Sequence, residues 1–272
     1  MSACKISKEV LHADILSTNL LNMSRSEKTS PVDFGFEKVA KHVKTEKVQQ
    51  VFSGSAENYD LMNEIMSLGM HTHWKKKAVE YTHLYPGDMA LDLACGSCDI
   101  TQYLHQSQPK AHIIATDPNA NMLDVGRDRL LNHGIHKPIS FVMSFAEHLP
   151  FKDQSFNLVI CAFGFRNFTD QDKGLNEIYR VLKPGGQIVI LEFSKPQAQI
   201  IDKLYQGYAS IIPEIGQWIA QQKHSYQYLI ESIEKQMSPE TLQKKLQETG
   251  FEAVKITKLL SGLIGIYRGI KC

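Results

Sequence analysis

The spacing of apolar positions changes character along the chain. From about 34 to 84, Val39, Val43, Val51, Ile65 and Val79 stand among Lys, Glu and His at helical intervals, which predicts a helical region closed by Pro86-Gly87-Asp88. From residue 89 short apolar runs alternate with amphipathic stretches. MALDLA (89–94) and AHIIATD (111–117) read as strands; DITQYLHQ and NANMLDVGRDRLLNHG read as helices, the second with Gly134 just past its end. ISFVMS (139–144), FNLVICAF (156–163) and QIVILEF (187–193) continue the strands, and the helix DQDKGLNEIYRVLK is stopped by Pro184-Gly185-Gly186. Such alternation predicts an α/β fold with a doubly wound parallel sheet and helices on both faces, five strands feeding toward one edge.

The flanks behave differently. Residues 1–31 are polar and Ser-rich, and read as a mobile N-terminal tail. Residues 198–233 form an apolar, aromatic-rich insertion that does not resemble a sheet strand. A helix from about 239 to 249 follows, then the strands FEAVKITKL and LIGIYRGIK, able to pair antiparallel across a short turn. The expected organisation is one domain over 32–272, with a helical N-terminal cap (32–84) and a lid insertion (198–233).

Composition narrows the partners. A formal net charge of +1 gives no electrostatic reason to expect nucleic acid. No apolar run approaches the roughly 18 residues that span a bilayer. Five scattered cysteines, of which only Cys95 and Cys98 are close, fit a reducing compartment better than a disulfide framework, and the N-terminus lacks the order of a secretory signal. A cytoplasmic protein is expected.

Candidate chemistry lies where strands end. In an open parallel sheet, ligands sit beyond the carboxyl ends of the strands, near the point where strand order reverses. The first strand leaves through Asp92-Leu93-Ala94-Cys95-Gly96-Ser97-Cys98-Asp99, small residues opening into a helix whose N-terminus favours an anionic group. The second ends in Asp117, at the distance where an acid meets ribose hydroxyls; the competing reading is a solvated acid capping the next helix. Ala94, Gly96 and Cys98 lack the third glycine of a pyrophosphate loop, an arrangement better suited to a nucleoside with a small charged tail, such as S-adenosylmethionine (AdoMet). Cys95 and Cys98 could also be redox thiols or half a zinc site, but Asp99 beside them disfavours a thiolate, so they read as small loop residues. His71 and His73 read as surface or lid residues, and no metal is expected.

The segments 32–75 (with YDLMNEIMSLGMHTHWK), GFRNFTD (164–170), RVLKPGG (180–186), LEFSKP (191–196), SYQYLIESI (225–233) and RGIK (268–271) closely resemble the ubiquinone/menaquinone biosynthesis C-methyltransferases. The resemblance runs from about residue 32 onward. It implies a Rossmann-like, seven-stranded, mostly parallel sheet and AdoMet as cofactor. Cofactor contacts then fall on Asp92, Ala94, Gly96, Ser97, Asp117, Phe145, Ala146 and Ala162. Three slots depart from the family pattern. Cys98 replaces a glycine, Phe145 an Asn or Asp that meets the adenine amino group, and Ala162 a frequent Ser. A forced positive φ and a lost hydrogen bond each cost about 1–2 kcal/mol, so affinity is expected to fall by about one to three powers of ten without being abolished. The implied reaction is methylation of a ring carbon on a polyprenylated benzoquinol or naphthoquinol. Arg166 would offer positive charge to the ring oxygen, Asn167 a hydrogen bond, and Tyr59 would orient the substrate. A non-catalytic AdoMet- or quinone-binding scaffold of the same pathway is the alternative. Because such a quinol partitions into the bilayer, peripheral contact with the inner membrane face or a quinone-biosynthesis complex is implied; the insertion's Ile211 and Trp218 could touch lipid, line a tail channel, pack on the core or form a homodimer contact.

Overall fold

The computed structural model describes residues 31–55, 59–135, 139–194, 207 and 223–272. The expected tail (1–31, but for Pro31) and most of the expected insertion, with Ile211 and Trp218, lie outside the described residues.

The chain opens with a correction. The stretch expected to be helical from about 34 begins as a hairpin, β1 (Val32–Phe34) against β2 (Glu37–Val39), turning at Gly35 with φ +56°. Valine and phenylalanine alternate with polar residues there at strand period, and Gly35 accepts the left-handed turn. Helices α1 (Lys41–Ser55), α2 (Tyr59–Ser67) and α3 (His71–Glu80) follow.

The sheet proper is built from β3 (Met89–Leu93), β4 (His112–Asp117), β5 (Ile139–Met143), β6 (Phe156–Ala162), β7 (Leu182–Phe193), β8 (Phe251–Leu259) and β9 (Ile264–Lys271). Its order is β5-β4-β3-β6-β7-β9-β8. The first five strands are parallel, and β9 runs antiparallel between β7 and β8. Strand order reverses between β3 and β6. Helices α4 (Asp99–Ser107), α5 (Ala120–Asn132), α6 (Gln171–Val181), α7 (Lys223–Glu234) and α8 (Pro239–Glu248) complete the described chain.

Strand cores such as Ala90, Leu91 and Leu93 in β3, and Leu158, Val159 and Ile160 in β6, are buried on both faces, which is why they read as unbroken apolar runs. Helix ends are set locally: Asn119 caps α5 by accepting from the Met122 amide, Asp170 caps α6 from the Lys173 amide, and Ser238 caps α8 from the Thr241 amide. A register shift in β6–β7 pairing absorbs the Pro184-Gly185-Gly186 corner.

Candidate active site

Four strand exits and the helices α1 and α5 enclose a cleft of about 740 Å³, part of it open to solvent. β3 contributes Leu93, Ala94 and Gly96; the β4 exit adds Asp117, Pro118 and Asn119; the β5 exit adds Ser144, Phe145, Ala146 and Glu147; the β6 exit adds Ala162, Phe163, Gly164 and Asn167. The location is the switch point between β3 and β6. Backbone is bent hard here: Ala94, Cys98 and Phe163 hold φ of +56°, +65° and +59°, conformations that concentrate where function demands them. Gly164 has to lack a side chain, since a Cβ would come within 2.7 Å of the Ala94 Cβ.

Of the residues expected to hold a cofactor, Ala94, Gly96, Asp117, Phe145, Ala146 and Ala162 line this one cleft. Asp92 and Ser97 do not. Asp92 is buried behind the loop, accepting the Thr101 hydroxyl at 2.5 Å, and burial pushes its pKa up to about 7. Ser97 is buried as well. Asp117 accepts the amides of Gly96 at 3.0 Å and Asn119 at 2.9 Å, tying the β3 and β4 exits together. Burial raises its pKa to about 6, while those two amides pull the other way.

Cys98 occupies its left-handed position fully buried. The space comes from α5: a Cβ on Gly126 would lie 2.4 Å from the Cys98 Sγ. The Cys95 and Cys98 sulfurs are 3.7 Å apart, and burial pushes the Cys95 thiol well above its ordinary range, with Cys98, Asp92 and Asp117 adding to the shift. A thiolate is thereby disfavoured. Behind the loop, Asp99 sits buried between Lys75 at 2.6 Å and Arg129. Burial opposes its ionisation, but these two cations hold it below the usual carboxylate range. His71, expected at the surface or in a lid, is buried beside the Ser67 hydroxyl, 3.1 Å from its Nδ1.

The residues expected to act on the acceptor separate. Asn167 lines the cleft. Arg166 stands behind it, its Nη1 on Glu192 at 2.6 Å and on the Phe163 carbonyl at 2.7 Å, its Nε on Ser232 at 3.2 Å. An arginine neutralised by a buried carboxylate is a scaffold for the turn rather than a charge offered to a ring oxygen. Tyr59 heads α2, but its side chain lies outside the described residues.

The sequence reading missed the roof. Thr45, Val48, Gln49 and Phe52, spaced as one face of α1, close over the cleft. At one end Lys41 pairs with Asp170 at 2.7 Å, the Lys44 amine donates to the Phe168 carbonyl at 2.8 Å, and the Thr45 and Thr169 hydroxyls meet at 2.8 Å. Burial lowers the Lys44 pKa, although Glu147 and Asp33 counteract it. At the other end Asn119 Nδ2 donates to Ser53 at 2.7 Å and to the Gln49 carbonyl at 3.3 Å. Glu147 secures the opposite wall by accepting the Thr169 and Asp170 amides at 2.6 and 3.1 Å. Helical periodicity in α1 was visible in the sequence; which face it turned, and toward what, was not.

The donor set suits a nucleoside bearing an amino acid: an acid at the second strand end for the ribose, Pro118, Met122, Phe145 and Ala146 for a flat apolar base, and a small-residue loop for the charged tail. Fold and cleft together define a Rossmann-like, AdoMet-dependent methyltransferase. A SAM-dependent methyltransferase of Thermotoga maritima shares the fold, with a TM-score of 0.58 at 18% identity, covering 82% of this chain and 99% of that one. The ubiE/COQ5 methyltransferase family matches residues 40–271, and the chain belongs to it. Ubiquinone/menaquinone biosynthesis C-methyltransferases of Hydrogenovibrio crunogenus and Vibrio cholerae are 43% and 41% identical over 250 and 256 residues, covering 91% and 93% of this chain and 98% of each relative.

Proposed function

We propose that this enzyme transfers the methyl group of AdoMet to a ring carbon of a polyprenylated benzoquinol, naphthoquinol or both, in ubiquinone/menaquinone biosynthesis. The observation carrying this reading is that one cleft holds both the strand-end acid Asp117 and the polar turn residue Asn167. AdoMet supplies an electrophilic methyl on a sulfonium, and displacement from it needs reactants aligned and water removed. Phe163 and Phe52 line the cleft with apolar surface, and the α1 roof limits solvent. An aromatic carbon becomes a competent nucleophile when an ortho or para hydroxyl ionises. Asn167 stabilises that oxygen by hydrogen bonding, and a water carries the proton away. Arg166 contributes by fixing the turn that presents Asn167.

Among the described residues no helix is long and apolar enough to cross a membrane. Because the quinol itself is lipid-soluble, a cytoplasmic enzyme would collect it by peripheral contact with the inner membrane face, or from partners in a biosynthetic complex. The purified protein is expected to move a labelled methyl from AdoMet to a quinol lacking the ring methyl, releasing S-adenosylhomocysteine. Saturable AdoMet binding with no transfer to either quinol class would instead establish a scaffold.

A further inference from the structure

Helix α7 places Tyr228 and Ser232 one turn apart on one face, and that face grips two consecutive residues of the β6 exit turn. Ser232 accepts from Arg166 Nε at 3.2 Å, and the Tyr228 hydroxyl donates to Asn167 Oδ1 at 2.9 Å. The Tyr228 ring is itself fixed. It is 4% exposed and stacks on Phe34 with centroids 4.2 Å apart and planes 16° from parallel.

A carboxamide is a donor at one end and an acceptor at the other. With its oxygen accepting the tyrosyl proton, the Asn167 amide turns its Nδ2–H groups away from Tyr228, and no described residue accepts from them. Rotating the amide by half a turn would leave the buried tyrosyl proton without an acceptor among the described residues, which disfavours the rotated state by about tenfold or more. Tyr228 takes no direct part in proton transfer at neutral pH, because burial raises its ionisation further above the ordinary phenolic range.

We propose that Tyr228 is a positioning residue that locks the Asn167 amide with its N–H side toward the acceptor ring oxygen, so that the site favours an acceptor whose oxygen carries negative charge. The inference rests on the reading of Asn167 given above and deepens it. Because the lock matters most when charge has developed, its loss affects kcat more than KM.

The test uses full-length Tyr228→Phe, Asn167→Ala and the double variant, with kcat and KM for the quinol, the pH profile of kcat, AdoMet affinity and melting temperature measured for each. Tyr228→Phe is expected to lower kcat about tenfold with AdoMet affinity and melting temperature held. The acid limb of its profile should move to higher pH, because a less stabilised phenolate forms later. In the Asn167→Ala background the same change should cost less than about twofold, the signature of one shared interaction. If Asn167→Ala impairs turnover but Tyr228→Phe leaves kcat and the profile untouched, the positioning inference fails while the reading of Asn167 stands. If Asn167→Ala is itself without effect, that reading falls and takes the inference with it. A Tyr228→Phe defect that multiplies with Asn167→Ala, or that tracks lost AdoMet binding or melting temperature, would assign Tyr228 to packing and overturn the proposal.

Discussion

A carboxylate at the end of β4 meets two opposing influences. Burial pushes the Asp117 pKa up to about 6, and two backbone amides restrain the rise. The free carboxylate titrates near 3.9, so the folded protein binds this proton more tightly than the unfolded chain. The linked stability is fully present below pH ~3.9 and is lost as pH rises toward 6. With the ribose role proposed for Asp117, ligand binding runs the opposite way, since accepting hydroxyls requires the ionised form. AdoMet affinity is therefore expected to be flat above about pH 6 and to weaken about tenfold for each unit below it, one proton per ligand. Asp117→Asn should bind about ten- to a hundredfold more weakly and lose that slope. Calorimetry across pH 5 to 8 decides it; a level wild-type curve would sink the assignment. Asp117 was legible because strand-end position is a local property of sequence. The engagement of Arg166 with Glu192 was not, because the two residues are far apart along the chain and meet only when β6 and β7 pair.

Between elements, the notable fit is that of α5 against the loop preceding α4. Cys98 tolerates a left-handed backbone while its sulfur fills the space above Gly126, so the two positions depend on each other. Gly126→Ala would place a methyl group 2.4 Å from that sulfur and 3.2 Å from the Gly96 carbonyl, a destabilisation of about 1–3 kcal/mol by overpacking. In a Cys98→Gly background most of that cost should vanish, a coupling of about 1 kcal/mol or more readable in denaturant unfolding. Additive effects would mean that the helix shifts to absorb the methyl. The elements themselves were largely readable, from the alternation of β3 to β7 with helices to the antiparallel end pair. The β1–β2 hairpin escaped because three-residue strands give too few alternations to outweigh the helical period that follows.

At the scale of the whole molecule, the buried Arg166–Glu192 pair joins the β6 exit, the middle of the sheet and α7 through Ser232. Removing one partner of such a pair strands a charge, so Arg166→Ala is expected to cost about 3–5 kcal/mol, whereas Arg166→Met with Glu192→Met should cost far less. Thermal and denaturant unfolding of both variants separate this from a catalytic loss; equal stability of Arg166→Ala and wild type would refute it. What the sequence hid at this scale was convergence. α1 lies before the sheet and α7 near the other end of the chain, yet both close on the same turn, and no local pattern marks a meeting across more than a hundred positions.

The placement of β9 between β7 and β8 has its own bearing on assembly. Among the described residues β8 pairs with β9 alone, and β9 crosses back to β7, a strand that precedes position 195. The β7–β9 pairing joins positions far apart along the chain, a long-range closure of the kind that slows folding. By pairing there, β9 covers a flank of β7 that would otherwise be an open sheet edge, prone to mispair with another chain.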